Sequence, residues 1–175
     1  MIVLRNSIAG VSPAGLARFA ARAQRAAGLS GRVDVLLTSN GELRTLNRAF
    51  RHKDETTDVL SFPAARNGTR SPLAGEIAIS TDIARANARR FGHALATELK
   101  ILMLHGMLHL AGHDHETDTG EMARLEERLR RELRLPVMTL IERARGDAGD
   151  LARVNSARAD RPRPHKTAKA QRRRP

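Results

Sequence analysis

Between His93 and Leu110 the chain carries a stretch that leaves almost no polar surface. Ile101, Leu102, Met103, Leu104, Met107, Leu108 and Leu110 all fall within it. A helix that is apolar on every side crosses a core rather than lying on one. The rest of the chain must therefore supply layers that cover it. Gly112 is a natural stop for this helix, because glycine tolerates the left-handed conformation that ends many helices.

Ahead of that helix, strand and helix signals alternate. Met1 to Arg5 reads as a short strand. Ser12-Pro13 starts a helix, with Ser as cap and Pro in the first position. Leu16, Phe19, Ala20, Ala23 and Ala27 then recur at helical spacing up to Gly28. Arg32 to Thr38 is rich in Val and Leu and reads as a strand. Ser39-Asn40-Gly41-Glu42 has the form of a capping box and opens a helix with Leu43, Leu46, Asn47 and Phe50 on one face. A polar loop, Arg51 to Thr57, leads to a strand over Asp58 to Phe62 that stops at Pro63. Asn67-Gly68 and Ser71-Pro72 mark turns. Gly75 to Ser80 alternates like a half-buried strand, and Thr81-Asp82 is expected to cap a helix reaching about Arg90. Beyond Gly112, Asp118 with Glu121 opens a helix with Met122, Leu125, Leu129 and Leu133 inside. Pro136 to Arg145 is expected to add a short last helix.

This order predicts an α+β fold: a single domain with a small mixed sheet of about four strands, covered by helices. The domain is expected over 1–145. From Gly146 periodicity is lost, and Pro162, Pro164 and an arginine-rich end predict a disordered basic tail over 146–175. The net charge is +12, of which the nine basic and one acidic residues of 151–175 supply +8, leaving +4 on 1–150. Such a balance draws a protein to phosphate polymers through counterion release. A solvated tail that binds nothing specific is the alternative, and composition does not choose between them. No apolar run is long enough to span a membrane, and the N-terminus lacks signal-peptide character. A cytoplasmic enzyme is the expectation.

The chain has no cysteine. Disulfides and thiolate metal sites are excluded, so a transition metal would have to be held by His, Asp or Glu. Four of the seven histidines lie in His105-Gly106-Met107-Leu108-His109-Leu110-Ala111-Gly112-His113-Asp114-His115. His105 and His109 are four apart and share one helix face. A left-handed turn at Gly112 returns the chain, which makes His115 the expected third ligand. His113 is also four residues after His109, but Gly112 breaks the helix before it. Asp114 is expected to orient an imidazole rather than to bind the ion. Three ligands with an open fourth position is the catalytic arrangement of a zinc ion. Polar residues on a surface helix are the alternative, and the apolar flanks argue against it. Zinc proteases with this His-x3-His-x2-Gly-x2-His spacing place Glu, their general base, directly after the first His. Gly106 stands there, which argues against proteolysis.

The segment His105-Gly106-x-Leu108-His109-Leu110-x-Gly112-x-Asp114-His115 resembles the zinc signature of the YbeY family of bacterial single-strand-specific endoribonucleases. Leu46-Asn47, Arg51, Asp54 and Thr57 to Pro63 resemble its second signature, and Gly75 to Ser80 a third, in the same order. The resemblance covers roughly 1–144. His113 departs from the family's usual Tyr, and Thr56 from a common Pro. The resemblance implies one Zn2+ on His105, His109 and His115 and a functional Arg51. It also implies a role in maturing the 3′ end of small-subunit (16S) ribosomal RNA and in ribosome quality control. Single-stranded RNA and components of the small ribosomal subunit are the implied partners.

Arg51 would bind phosphate through a paired fork of hydrogen bonds. The general base is not evident: Asp54, Asp58, Glu76 and Asp114 are candidates by position only, and the place of Ser61 is open. With four Phe and no Trp or Tyr, platforms for stacking bases are scarce, so backbone charge must carry much of any RNA affinity. A zinc hydrolase of another substrate and a ribosome-assembly protein with structural zinc are the competing readings.

Overall fold

The computed structural model describes residues 2–4, 8–64, 73–115 and 117–137. The chain divides after Leu140, and the first unit alone is described below. Pro136 and Val137 are not helical. The rest of the expected last helix, the boundary at 145 and the tail 146–175 lie outside the described residues.

Four strands and five helices follow one another as β1 (Ile2–Leu4), α1 (Pro13–Ala26), β2 (Arg32–Thr38), α2 (Asn40–Arg51), β3 (Val59–Pro63), β4 (Leu73–Ser80), α3 (Thr81–Arg90), α4 (Leu95–Leu110) and α5 (Glu121–Glu132). The sheet order is β1-β2-β4-β3. β1 and β4 both run parallel to β2, and β3 runs antiparallel to β4. The sheet is thus mixed, and β4 sits inside it. Its run Ile77-Ala78-Ile79-Ser80 is buried on both faces.

Alternation along β2 and β4 separates two layers. Val35, Leu37, Ile77 and Ile79 join the main core with side chains from α1, α3, α4 and α5. Leu36 and Ala78 point the other way and meet Leu43 and Leu46 of α2, with Leu60 and Phe62 of β3. α4 runs through the main core with every residue from Ile101 to Leu108 buried, as its all-round apolar sequence requires.

Local chemistry sets the ends of these elements. Ser12 Oγ accepts the Gly15 N–H at 3.1 Å, and Pro13 opens α1. Ser39 Oγ accepts the Glu42 N–H and caps α2. α3 is capped by Ser80, the last residue of β4, whose Oγ accepts the Ile83 N–H at 3.1 Å. The expected Thr81-Asp82 cap lies inside the first turn instead. α4 starts at Leu95 rather than His93, and the His93 ring meets Glu98 Oε2 at 2.6 Å across that first turn.

Gly106 decides how closely α4 approaches the sheet. A Cβ there would lie 2.9 Å from Ile77 Cγ2 and 3.1 Å from Ser61 Oγ. The Ser61 hydroxyl instead donates to the Gly106 carbonyl at 3.0 Å. This contact fixes the height of α4 above β3 and β4, and with it the height of the histidines on either side.

Candidate metal centre

His105 and His109 project from the same face of α4. Their Nε2 atoms are 3.2 Å apart, and their ring centroids 4.8 Å. α4 then ends as glycine chemistry predicts: Gly112 adopts φ +94°, and the His113 N–H donates to the Leu108 carbonyl at 3.1 Å. The reversal brings back His115, whose ring centroid is 5.4 Å from that of His105 and 5.2 Å from that of His109. Each of the three offers a nitrogen, and these atoms lie within 4.8 Å of one another. Among the described residues this is the one such group of metal-ligating side chains, and it contains neither His113 nor Asp114.

The donors suit a transition metal such as zinc. A tetrahedral ion with bonds of about 2.0–2.1 Å sets its nitrogens roughly 3.3 Å apart, close to the 3.2 Å between the two Nε2 atoms. Burial, aided by His105 and His115, lowers the His109 pKa to about 4. That keeps His109 neutral at physiological pH, the form that binds a metal. His115 Nδ1 is buried without a hydrogen-bond partner among the described residues. Buried polar atoms are rarely left unpaired, and a cation at this point would complete the set.

His105 is held from behind. Its Nδ1 faces Glu126 Oε2 of α5 at 3.2 Å. A proton on Nδ1 donated to that carboxylate leaves the Nε2 lone pair directed at the other two rings. The second oxygen, Oε1, accepts from Arg130 Nε at 2.9 Å and from Arg130 Nη2. Arg130 Nη1 donates to the Pro136 carbonyl at 3.2 Å. Glu126 and Arg130 are both fully buried. Burial pushes the Glu126 carboxyl up, but His105 and Arg130 together bring it below the ordinary range.

Glu126 is the site residue that sequence reasoning misses. A signal is present: counting about 100° per residue, Glu126 falls on the inner arc of α5 defined by Met122, Leu129 and Leu133. A carboxylate on such an arc requires a partner.

The other expected site residues are spread around this centre. Arg51 is the exposed last residue of α2, and its charge contributes to lowering the His109 pKa. Asp58 is half-buried. Burial raises its pKa, and the neighbouring His105 partly offsets this. Asp114 is exposed. Its backbone carbonyl accepts from Thr117 and Asp118, and its charge acts on His109 in the raising direction. His113 is half-buried just past the turn. Glu76 is exposed beside Ile77 and lines a hollow on the α2 side of the sheet with Asp34, Phe50 and Phe62, away from α4. Asp54 is tied to Arg44 by bonds of 2.8 and 2.9 Å.

Residues 14–134 match the family model described as Endoribonuclease YbeY. A Koribacter versatilis protein named Endoribonuclease YbeY is 58% identical over 143 residues, covering 82% of this chain and 91% of the relative. A Solibacter usitatus protein of the same name is 49% identical over 142 residues, covering 81% and 92%. The solution structure of a Thermotoga maritima protein aligns over 95% of this chain and all of its own, with a TM-score of 0.51 and 26% identity. With a family match running from α1 through β2, β3 and β4 to α5, the chain belongs to the YbeY endoribonuclease family.

Proposed function

We propose that this protein is a zinc-dependent endoribonuclease that cuts single-stranded RNA, with one Zn2+ held by His105, His109 and His115. The observation that carries the reading is the trio of converging imidazoles, one of them with a buried, unpartnered Nδ1, in a chain whose relatives are named as endoribonucleases.

Zinc held there would supply a Lewis acid and lower the pKa of water towards about 7. The protein's own residues do the rest. Glu126, fixed by Arg130, holds the His105 ring with its Nε2 towards the centre. The low pKa of His109 keeps its lone pair available. Arg51 binds the scissile phosphate through its guanidinium fork and offsets the charge that grows as the bond breaks. Of the candidate carboxylates for proton handling, Asp58 lies within electrostatic reach of His105. Glu76 faces the far side of the sheet, and Asp54 is committed to Arg44. Proteolysis remains disfavoured, because position 106 holds no carboxylate and faces Ile77 and Ser61.

The biological setting we propose is maturation of the 16S ribosomal RNA 3′ end and ribosome quality control in the cytoplasm, with small-subunit components as partners. Two variants test the chemistry. Arg51→Ala is expected to keep its fold and zinc content but to lose RNA cleavage by about 100-fold or more, as for loss of a transition-state donor. His109→Ala is expected to lose both zinc and cleavage. If Arg51→Ala cuts at the normal rate, Arg51 has no part in the reaction. If His109→Ala simply unfolds and the unaltered protein cuts no RNA, a ribosome-assembly protein with structural zinc is the better reading.

A further inference from the structure

A second feature lies away from the histidines. α1, the first turns of α4 and the end of α5 enclose a hollow of about 390 Å³. Arg18 and Arg22 of α1, Lys100 of α4 and Arg134 after α5 line it, over a floor formed by Phe19 and Leu133. No acidic side chain lines it, and none of these four cations has an ion-pair partner among the described residues. Lys100 sits over the Phe19 ring, its Nζ 5.8 Å from the centroid. Arg18, Arg22 and Arg134 are exposed.

Four like charges thus gather around one hollow, and no ion pair among the described residues neutralises any of them. Arg134 adds an independent sign. It has φ +60°, with the Leu135 N–H donating to the Arg130 carbonyl at 2.8 Å. This is the left-handed position after a helix that glycine fills most easily. An arginine there tolerates backbone strain that glycine would avoid, and it brings a guanidinium to the rim. Lys100 precedes His105 by five residues, a rotation of about 140° and a rise of about 7.5 Å along the helix. The hollow therefore opens on a different side of α4 from the metal centre.

We propose that this hollow is a second RNA-binding site, which holds the phosphate backbone of an RNA at a distance from the point of cleavage. The proposal rests on the reading of the chain as an RNA-cleaving enzyme, and it deepens that reading by dividing the work. The metal centre meets one phosphodiester, while the hollow gives affinity for the strand, independent of base sequence. The scarcity of aromatic side chains fits such a division, since guanidinium and ammonium groups must replace stacking.

The test is the binding of a long single-stranded RNA to the full-length, metal-free protein across a range of salt. Each lost phosphate contact makes the slope of log affinity against log salt shallower by roughly 0.7. Arg18→Gln/Arg22→Gln is expected to bind several-fold more weakly at low salt, with a slope shallower by roughly 1.4. Arg134→Gly is expected to bind more weakly while its thermal unfolding midpoint stays level or rises, which a structural role for Arg134 does not allow. Arg128→Gln, an exposed arginine of α5 outside the hollow, is expected to change neither affinity nor slope. The proposal is overturned if the double variant and Arg134→Gly bind as the unaltered protein does, or if Arg128→Gln weakens binding equally. Because the protein is metal-free, this result is separate from cleavage. Binding through the hollow by a protein that cuts nothing would sink the nuclease reading alone.

Discussion

His105, His109 and His115 are legible in the sequence itself, because the helical repeat places residues four apart on one face and Gly112 supplies the turn. Glu126 is not, because its partner lies 21 residues earlier in the chain and its spacing to Arg130 reads as an ordinary i,i+4 surface pair. The fold buries that pair completely and sets Glu126 against the His105 ring, a candidate metal ligand. Glu126→Gln is therefore expected to lower zinc affinity by about 10–100-fold. Calorimetric titration with zinc measures this, and unchanged affinity would remove Glu126 from the site. His109 supports a pH prediction in the metal-free protein. Its folded-state pKa of about 4 lies below the usual value of 6.5, so the unfolded chain binds its proton more readily. The stability that His109 contributes is fully present above pH 6.5 and is lost as pH falls towards 4. Because the ring is partly exposed and solvent screens it, the contribution is well below the roughly 3 kcal/mol that the full shift would give. Denaturant unfolding of the unaltered protein and of His109→Gln, compared between pH 7 and pH 4, should differ in slope over this window. Parallel curves would mean that His109 titrates normally.

At the scale of elements, the all-round apolar character of α4 announces its place, and capping residues mark the starts of α1 and α2. Boundaries are less legible where one residue serves two elements. Ser80 ends β4 and caps α3 at once. His93 reads as helix but bonds back to Glu98 ahead of the first turn. Nor does the sequence say why position 106 is glycine, beyond the absence of a catalytic Glu. The contact with Ile77 and Ser61 supplies a packing reason. Alanine is intrinsically a better helix residue than glycine by about 1 kcal/mol, but its Cβ would press within 2.9 Å of the buried Ile77 side chain. Gly106→Ala is expected to destabilise the protein by about 1–3 kcal/mol, through the cost of overpacking. Chemical denaturation measures it, and a stabilised Gly106→Ala protein would show that α4 can lift from the sheet freely.

For the molecule as a whole, the class of fold follows from the order of signals, but the strand order β1-β2-β4-β3 does not. A period of two tells which side chains share a face and is silent on which strand lies next to which. The run Ile77-Ala78-Ile79 hints at an inner strand, since apolar residues on both faces are what an inner strand needs. The same limit applies to charge. The sequence shows an excess of Lys and Arg, while the gathering of Arg18, Arg22, Lys100 and Arg134 around one hollow depends on α1, α4 and α5 meeting in space. The candidate metal centre likewise draws on α4, the turn after it and, through Glu126, α5.

The most direct measurement is the cleavage of a labelled single-stranded RNA by the purified protein before chelation, after chelation, and after zinc is returned. The account predicts cleavage that disappears with the metal and is restored by one equivalent of zinc per chain. Cleavage that persists in metal-free protein, or that never appears at any zinc concentration, would contradict it.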